Sequence, residues 1–329
     1  MSATRKHSTR AVILLVAAGV LLLGAATWMV VGILAGIGER NPFAGAELYV
    51  YPDSAAAVAL KQSSSDDLEA IARISETPAA IWILPEAQPI DTVGDFVDRA
   101  ATDAEAQGEL PVFVVYGIPD RDCQSESAGG LDAETYPEWV SAIGAGLVNH
   151  DSIVVLEPDS LSLATECGNV DERVAQIQDA SARLMTANVM FSAPGPSIYL
   201  DGAHSDWMPV EAMADILNRA GVSGVQGFAT NVSNFNATAD EVAYAEEVSS
   251  LTGGAHYVID TSRNGNGSNG QWCNPSGRAL GDSPSVVSGS STHDANLWVK
   301  NPGESDGQCN GGPAAGQWWL DGALALARN

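Results

Sequence analysis

Basic side chains are scarce in this chain. There are 15 Lys and Arg against 41 Asp and Glu in 329 residues, a formal charge of −26. Three of those bases, Arg5, Lys6 and Arg10, sit in the first ten residues, so 12 bases face 41 acids over the rest. Such a surface repels phosphate backbones and anionic bilayers, which excludes nucleic acid as a partner and favours a neutral or cationic one. Cysteine is also rare. The four present show no C-x-x-C spacing and no H-E-x-x-H occurs, so no metal is expected, nor any cofactor. Aromatics make up only 6%, yet Trp, Leu, Val and Ile recur along the whole length, and 45% of positions are apolar. That excludes a disordered chain and is enough for one large core.

One long apolar run is present. From Ala11 to Gly38 no side chain is charged, and the bases precede it. A basic start followed by an apolar stretch is the export pattern, and this stretch is long enough to span a bilayer as a helix. A cleaved signal peptide and an uncleaved signal anchor both fit residues 1–38. Either places residues 39–329 outside the cytoplasm, secreted or tethered to the membrane, because the bases stay inside. In an oxidising compartment four cysteines, Cys123, Cys167, Cys273 and Cys309, imply two bridges out of three pairings. The sequential pairing, Cys123–Cys167 with Cys273–Cys309, closes moderate loops worth roughly 4 kcal/mol each in the chain-entropy view.

Beyond residue 40 the pattern alternates. Short apolar runs stand at 80–84, 112–116, 152–157, 197–202, 225–230 and 256–260, with helical spacing at 92–107, 135–149, 170–187, 206–220 and 238–251. Alternation of this kind predicts an α/β fold with a mainly parallel sheet, and six or more units in one stretch favour a barrel. Residues 262–292, rich in Gly, Ser and Asn, read as long loops. Six strand exits in a row deliver polar groups: GIPDRDC, PDSLS, AHSDW, NVSNFN, TSRNGNG and NPGESDG. In a parallel barrel those exits share the face where active sites are built. Trp207, Trp272 and Trp298 lie among them, whereas Trp82, inside AIWIL, reads as core. Acids and aromatics on one rim suit carbohydrate cleavage, which needs a carboxylic acid for the leaving oxygen and a second group to manage water.

PDRDC (119–123), LEPDSL (156–161), DGAHSDW (201–207), ATNVSNF (229–235), QWCN (271–274) and WVKNPGESDG (298–307) together resemble glycoside hydrolase family 6. This family comprises cellulases that cleave β-1,4-glucan with inversion. The resemblance implies a distorted seven-stranded parallel α/β barrel (TIM-like), preceded here by the N-terminal hydrophobic helix. It implies Asp159 as general acid, Asp122 as the carboxylate that keeps Asp159 protonated and helps move a proton from water, and Asp306 as the proposed base. The bridge Cys123–Cys167 would then fix the Asp122 loop. Ser127 matches the water-holding serine with a one-residue difference in spacing. Lys300 and Glu304 match substrate contacts, His204 and Trp207 a glucose subsite beyond the cleavage point, and Trp272 one before it. Tyr49 and Tyr116 would hold the distorted sugar, with Arg121 and Asn231 completing the polar lining.

Other readings accompany these. Asp159 in Pro-Asp-Ser suits a helix N-cap, and Asp122 could pair with Arg121 on a solvated turn. The sequons at Asn231, Asn236 and Asn266 match N-x-[ST]. The expected protein is an exported, monomeric endoglucanase with an open cleft, since residues 162–169 and 301–311 are short. The second reading is a non-catalytic, membrane-tethered glycan-binding protein on the same scaffold, and a serine hydrolase is a remote third.

Overall fold

Strand β1 (Glu47–Leu48) and β3 (Glu109–Leu110) pair in parallel as a two-stranded ribbon beside the main sheet. The main sheet contains β2 (Ile81–Ile83), β4 (Val112–Val115), β5 (Ser152–Leu156), β6 (Pro196–Asp201), β7 (Gly227–Thr230), β8 (His256–Asp260), β9 (Ser285–Val286) and β10 (His293–Leu297). This computed structural model describes residues 41–63, 66–191 and 193–329; the predicted apolar helix of 11–38 lies outside them. Among the described residues no helix is long and apolar enough to cross a membrane.

The strand order β2-β4-β5-β6-β7-β8-β10 follows the chain, and all seven are parallel; β9 adds a short antiparallel edge beyond β10. The expected count of seven parallel strands therefore holds, with an eighth strand in the sheet. No ladder joins β10 to β2. The seam is spanned instead by the Ala80 N–H to the Trp298 carbonyl (2.9 Å) and by Trp82 Nε1 to the Val299 carbonyl (2.8 Å). The sheet is thus a curled barrel left open along one line.

Period-two alternation sorts the strand side chains. Val112, Val114, Ile153, Val155, Tyr199 and Val258 pack in one buried cluster, while Phe113, Val115, Val154, Leu156, Leu200 and Ile259 pack in another with the helices. The crossover helices are α3 (Ile90–Gln107), α4 (Thr135–Gly146), α5 (Ser160–Cys167), α6 (Val170–Phe191), α7 (Val210–Ala220) and α8 (Thr238–Leu251). They follow α1 (Ala55–Gln62) and α2 (Leu68–Ser75), and α9 (Leu320–Arg328) closes the chain and packs on α2 through Ala323, Ala327, Ala70 and Ile74. Because every strand of the parallel set runs the same way, all its C-terminal ends open on one rim.

Candidate active site

The loop leaving β4 is the most constrained on that rim. Glu157, fully buried at the end of β5, accepts hydrogen bonds from the backbone N–H groups of Gly117 (2.9 Å) and Ile118 (3.1 Å) and from the Tyr136 hydroxyl (3.0 Å). Arg173 on α6 donates to the carbonyls of Pro119 (2.5 Å) and Asp120 (2.7 Å). Between these clamps Asp120, Asp122 and Cys123 take φ of 49°, 59° and 45°, which L-residues adopt only when their surroundings impose it. Gly130 ends the loop at φ 88°, and a Cβ there would lie 2.0 Å from the Ile118 carbonyl oxygen, so only glycine fits. The bridge Cys123–Cys167 ties the same turn to the end of α5.

Arg121 does not pair with Asp122. It pairs with Glu86 (2.9 Å), donates to the carbonyls of Tyr116 and Ser127 (2.9 Å each), and lies over the Tyr116 ring. Asp122 instead accepts from the Ser127 hydroxyl (2.8 Å) and N–H (3.0 Å), and the Ser127 hydroxyl lies 3.0 Å from that of Tyr116. Tyr116, Ser127 and Asp122 thus form one hydrogen-bonded line beside the cleft. Burial, then the charge of Asp159, pushes the Tyr116 hydroxyl upward, so it stays a proton donor.

Asp159 occupies the first position before α5 at φ 66°, yet its carboxylate makes no cap bond. The side chain is free for the cleft. Burial, followed by the charges of Asp201 and Asp122, pushes its carboxyl well above the usual range, against the opposing charge of Lys300. Asp201, at the end of β6, accepts from the backbone N–H of Asp159 (3.1 Å) and of Ala203 (3.3 Å), and burial raises it to about 7. Sequence reasoning singled out neither Asp201 nor Glu157. An acid directly closing an apolar strand, as in VVLE and IYLD, is the signal that could have found them.

The opposite side of the rim is organised by a third such acid, Asp260 at the end of β8. Fully buried, it accepts from the N–H groups of Ser233 (3.0 Å), Ser262 (2.9 Å), Val299 (3.2 Å) and Lys300 (2.9 Å), drawing three loops together. Asp306 is gripped by Arg263 at 2.9 and 3.0 Å and accepts from the Asn274 N–H (3.0 Å). The bridge Cys273–Cys309 fastens this corner. Burial raises the Glu304 carboxyl despite Lys300, and Asn301 lies 3.3 Å from it. Across the rim, the Gln308 N–H donates to Glu126 (3.0 Å), joining the loop after β10 to the one after β4. Gly303–Gly307 does spell G-x-S-x-G, but Ser305 is buried and its hydroxyl is held by the carbonyls of Gly307 (3.0 Å) and Pro313 (2.9 Å). It is no nucleophile, and the serine-hydrolase reading ends there.

These loops enclose a cleft of about 1540 Å³. Tyr116, Arg121, Asp122, Ser127, Asp159, His204, Trp207, Trp272, Lys300, Glu304 and Asp306 all line it. Trp272 is 55% exposed there, an unusual cost for a ring with no ligand. Two expected residues do not line it. Tyr49 packs into the core, and Tyr51, two positions on, reaches the cleft in its place. Asn231 is fully buried below the rim, where it donates to the Asp260 carbonyl (2.8 Å) and accepts from the Asn236 N–H (3.1 Å). Asn231 and Asn236 are therefore structural rather than accessible sequons. Trp82, expected in the core, borders the cleft with its ring edge-on to Tyr116 and 5.6 Å from Lys300 Nζ, while Trp298 is buried. Among the described residues no cluster of three or more His, Cys, Asp or Glu could hold a metal ion.

The family description Glycosyl hydrolases family 6 matches residues 43–329, nearly the whole described chain. The chain belongs to that family. It is 43% identical over 284 residues to endoglucanase A of Cellulomonas fimi, covering 85% of this chain and 61% of that protein, so it spans less than two thirds of that relative. It is 37% identical over 283 residues to endoglucanase 1 of Streptomyces halstedii, covering 82% and 85% respectively. The structure of the Mycobacterium tuberculosis endoglucanase in complex with methyl-cellobiosyl-4-deoxy-4-thio-β-D-cellobioside superposes with a TM-score of 0.82 at 41% identity, covering 88% of this chain and 99% of that one. The open-seamed barrel is thus the family 6 fold.

Proposed function

We propose that this family 6 chain is an inverting endo-β-1,4-glucanase acting on neutral cellulose-type glucan without a cofactor. The observation that carries the reading is Asp159, a carboxyl with no cap or ion-pair partner, raised by burial and by two neighbouring carboxylates in a cleft bordered by tryptophans. A group held in that way keeps its proton near neutrality and can give it to the leaving glycosidic oxygen. Asp122 supports it with a like charge. Trp207 and Trp272 offer apolar faces to sugar rings on the two sides of the cleavage point, with His204, Lys300 and Glu304 for their hydroxyls, and Tyr51 takes the place expected of Tyr49.

For the water, the ion pair between Arg263 and Asp306 favours a relay through Ser127 and Asp122 over direct deprotonation by Asp306. A proton arriving on Asp306 would have to displace the single guanidinium nitrogen, Nη1 of Arg263, that both its oxygens share. Residues 1–38 act as signal or anchor and 39–329 as the catalytic domain, outside the cytoplasm and monomeric, where the two disulfides persist.

Proton NMR of the earliest product from soluble β-glucan tests the assignment. The α-anomer should appear first, with viscosity falling faster than reducing ends accumulate. An initial β-anomer overturns inversion. Binding of glucan with no hydrolysis at all would favour the tethered binding protein instead.

A further inference from the structure

His204 borders the cleft beside Trp207, their ring centroids 5.6 Å apart. Its Nδ1 is occupied from within the protein. Asn236 Nδ2 lies 2.9 Å away and the Asp206 N–H 3.3 Å away. Which end of the Asn236 amide faces the ring is decided one step further back. The same Nδ2 lies 3.0 Å from Oε1 of Glu241, a fully buried carboxyl on α8 that also accepts from the Ser205 N–H (2.9 Å) and hydroxyl (2.7 Å). A carboxylate only accepts, so it must see the NH₂ end of the amide. The backbone of Asn236 cannot adjust, because its N–H is bound by Asn231 and its carbonyl by Asn231 and Asn264. The Asp206 N–H is aimed at Nδ1, and the second Asn236 amide hydrogen faces Nδ1 (2.9 Å) with Ser205 Oγ behind it (3.2 Å). The ring therefore has no room for a proton there and must carry it on Nε2, which has no partner among the described residues.

We propose that Glu241, acting through Asn236, is a positioning residue that fixes the His204 proton on Nε2 and so makes His204 a permanent hydrogen-bond donor to an acceptor oxygen of the sugar bound beside Trp207. The sugar as ligand rests on the glucanase reading; the fixed tautomer does not. Oε2 of Glu241 is buried without a hydrogen-bond partner, so a proton taken up by the carboxyl would reside there and leave Oε1 accepting. Burial lowers the His204 ring itself, which keeps it neutral and in the donor form over a wider range.

Long-range ¹H–¹⁵N correlation of the full chain reads the ring directly. In the unaltered protein Nε2 of His204 should be pyrrole-like and Nδ1 pyridine-like at neutral pH; a protonated Nδ1, or a mixture of tautomers, overturns the proposal whatever the fate of any variant. Glu241→Met removes the acceptor, so the amide is free to turn and the two signals should converge or exchange identity. Glu241→Gln can keep its carbonyl at the Oε1 position and should restore the original pattern; equal loss in both variants contradicts the relay. On cello-oligosaccharides Glu241→Met should raise KM about three- to tenfold with kcat within about twofold, the loss of one directed hydrogen bond. A fall in kcat alone contradicts the positioning role. Absence of hydrolysis in the unaltered protein would sink the glucanase reading and leave the tautomer result standing.

Discussion

The two sides of the rim handle carboxyl groups in opposite ways. After β4, β5 and β6, Asp122, Glu157, Asp159 and Asp201 carry no guanidinium on their carboxyls; backbone N–H groups and hydroxyls hold Asp122, Glu157 and Asp201, and the Asp159 carboxyl is left to the cleft. After β8 and β10, Asp260 is likewise held by backbone N–H groups, but Asp306 is matched to Arg263 and Glu304 lies within the field of Lys300. Crowding like charges in a buried place drives one of them to keep its proton, whereas pairing preserves the anion. One rim thus crowds carboxyls on one side and sets Arg263 and Lys300 beside Asp306 and Glu304 on the other.

The sharpest way to break that contrast is to remove the acid. Asp159→Asn should lower kcat on carboxymethyl-cellulose by about 10²–10⁴, with glucan binding by affinity electrophoresis unchanged. If activity stays within a few-fold, the crowded side is not where the proton comes from. Next in size is the paired side. Arg263→Met strands the buried Asp306 and should cost about 3–5 kcal/mol in denaturant unfolding, since a lone buried charge is the expensive case. A change below about 1 kcal/mol would mean that the pair is not what holds that corner.

The disulfides sharpen the comparison further. Replacing Cys123 and Cys167 by Ser should cost about 2–4 kcal/mol, as should replacing Cys273 and Cys309. Only the first pair pins the strained turn of Asp122, so at temperatures where both variants are folded the first should lose more kcat; equal kcat values would contradict that assignment. Smallest of all is Trp272→Ala. A half-exposed ring should contribute about 1 kcal/mol to glucan binding, a five- to tenfold rise in KM with kcat kept, measured on soluble oligosaccharides.

The architecture was legible because period-two runs and helical spacing are local properties: the six expected strands and five expected helices each contain or overlap an observed element. The short pieces were not. α1, α2 and α9 owe their burial to one another, and a two-residue strand such as β1 has no pattern to read. The site shows the same division. Asp122 and Asp159 carry distinctive neighbours, and both line the cleft. Tyr49 and Tyr51 are two positions apart, so period-two alternation alone would put them on one face. The chain leaves the strand after Leu48, with the Tyr49 N–H still meeting the Leu110 carbonyl, and that departure, which no local pattern announces, separates them. Asn231 looks like a loop asparagine until its φ of 62° and its bond to the Asp260 carbonyl place it beneath the loop. Asp201 and Asp260 close apolar strands, which is a local signal, but nothing local shows that the N–H of Asp159 reaches Asp201 or that those of Ser233, Val299 and Lys300 converge on Asp260.

The account depends most on Asp159 holding its proton, with Asp201 as part of the cause. Asp201 itself rises from an ordinary value of 3.8 to about 7, so in that window the folded chain binds a proton that the unfolded chain lacks, and stability falls as pH increases through it. The direct measurement is the alkaline limb of the pH–kcat profile in the unaltered enzyme and in Asp201→Asn, whose amide oxygen can still accept the Asp159 N–H. Removing that charge while leaving the burial intact should move the limb to lower pH by about one unit or more, with catalysis kept below it. A limb that stays in place, or moves to higher pH, would contradict the claim that neighbouring carboxylates keep the acid protonated.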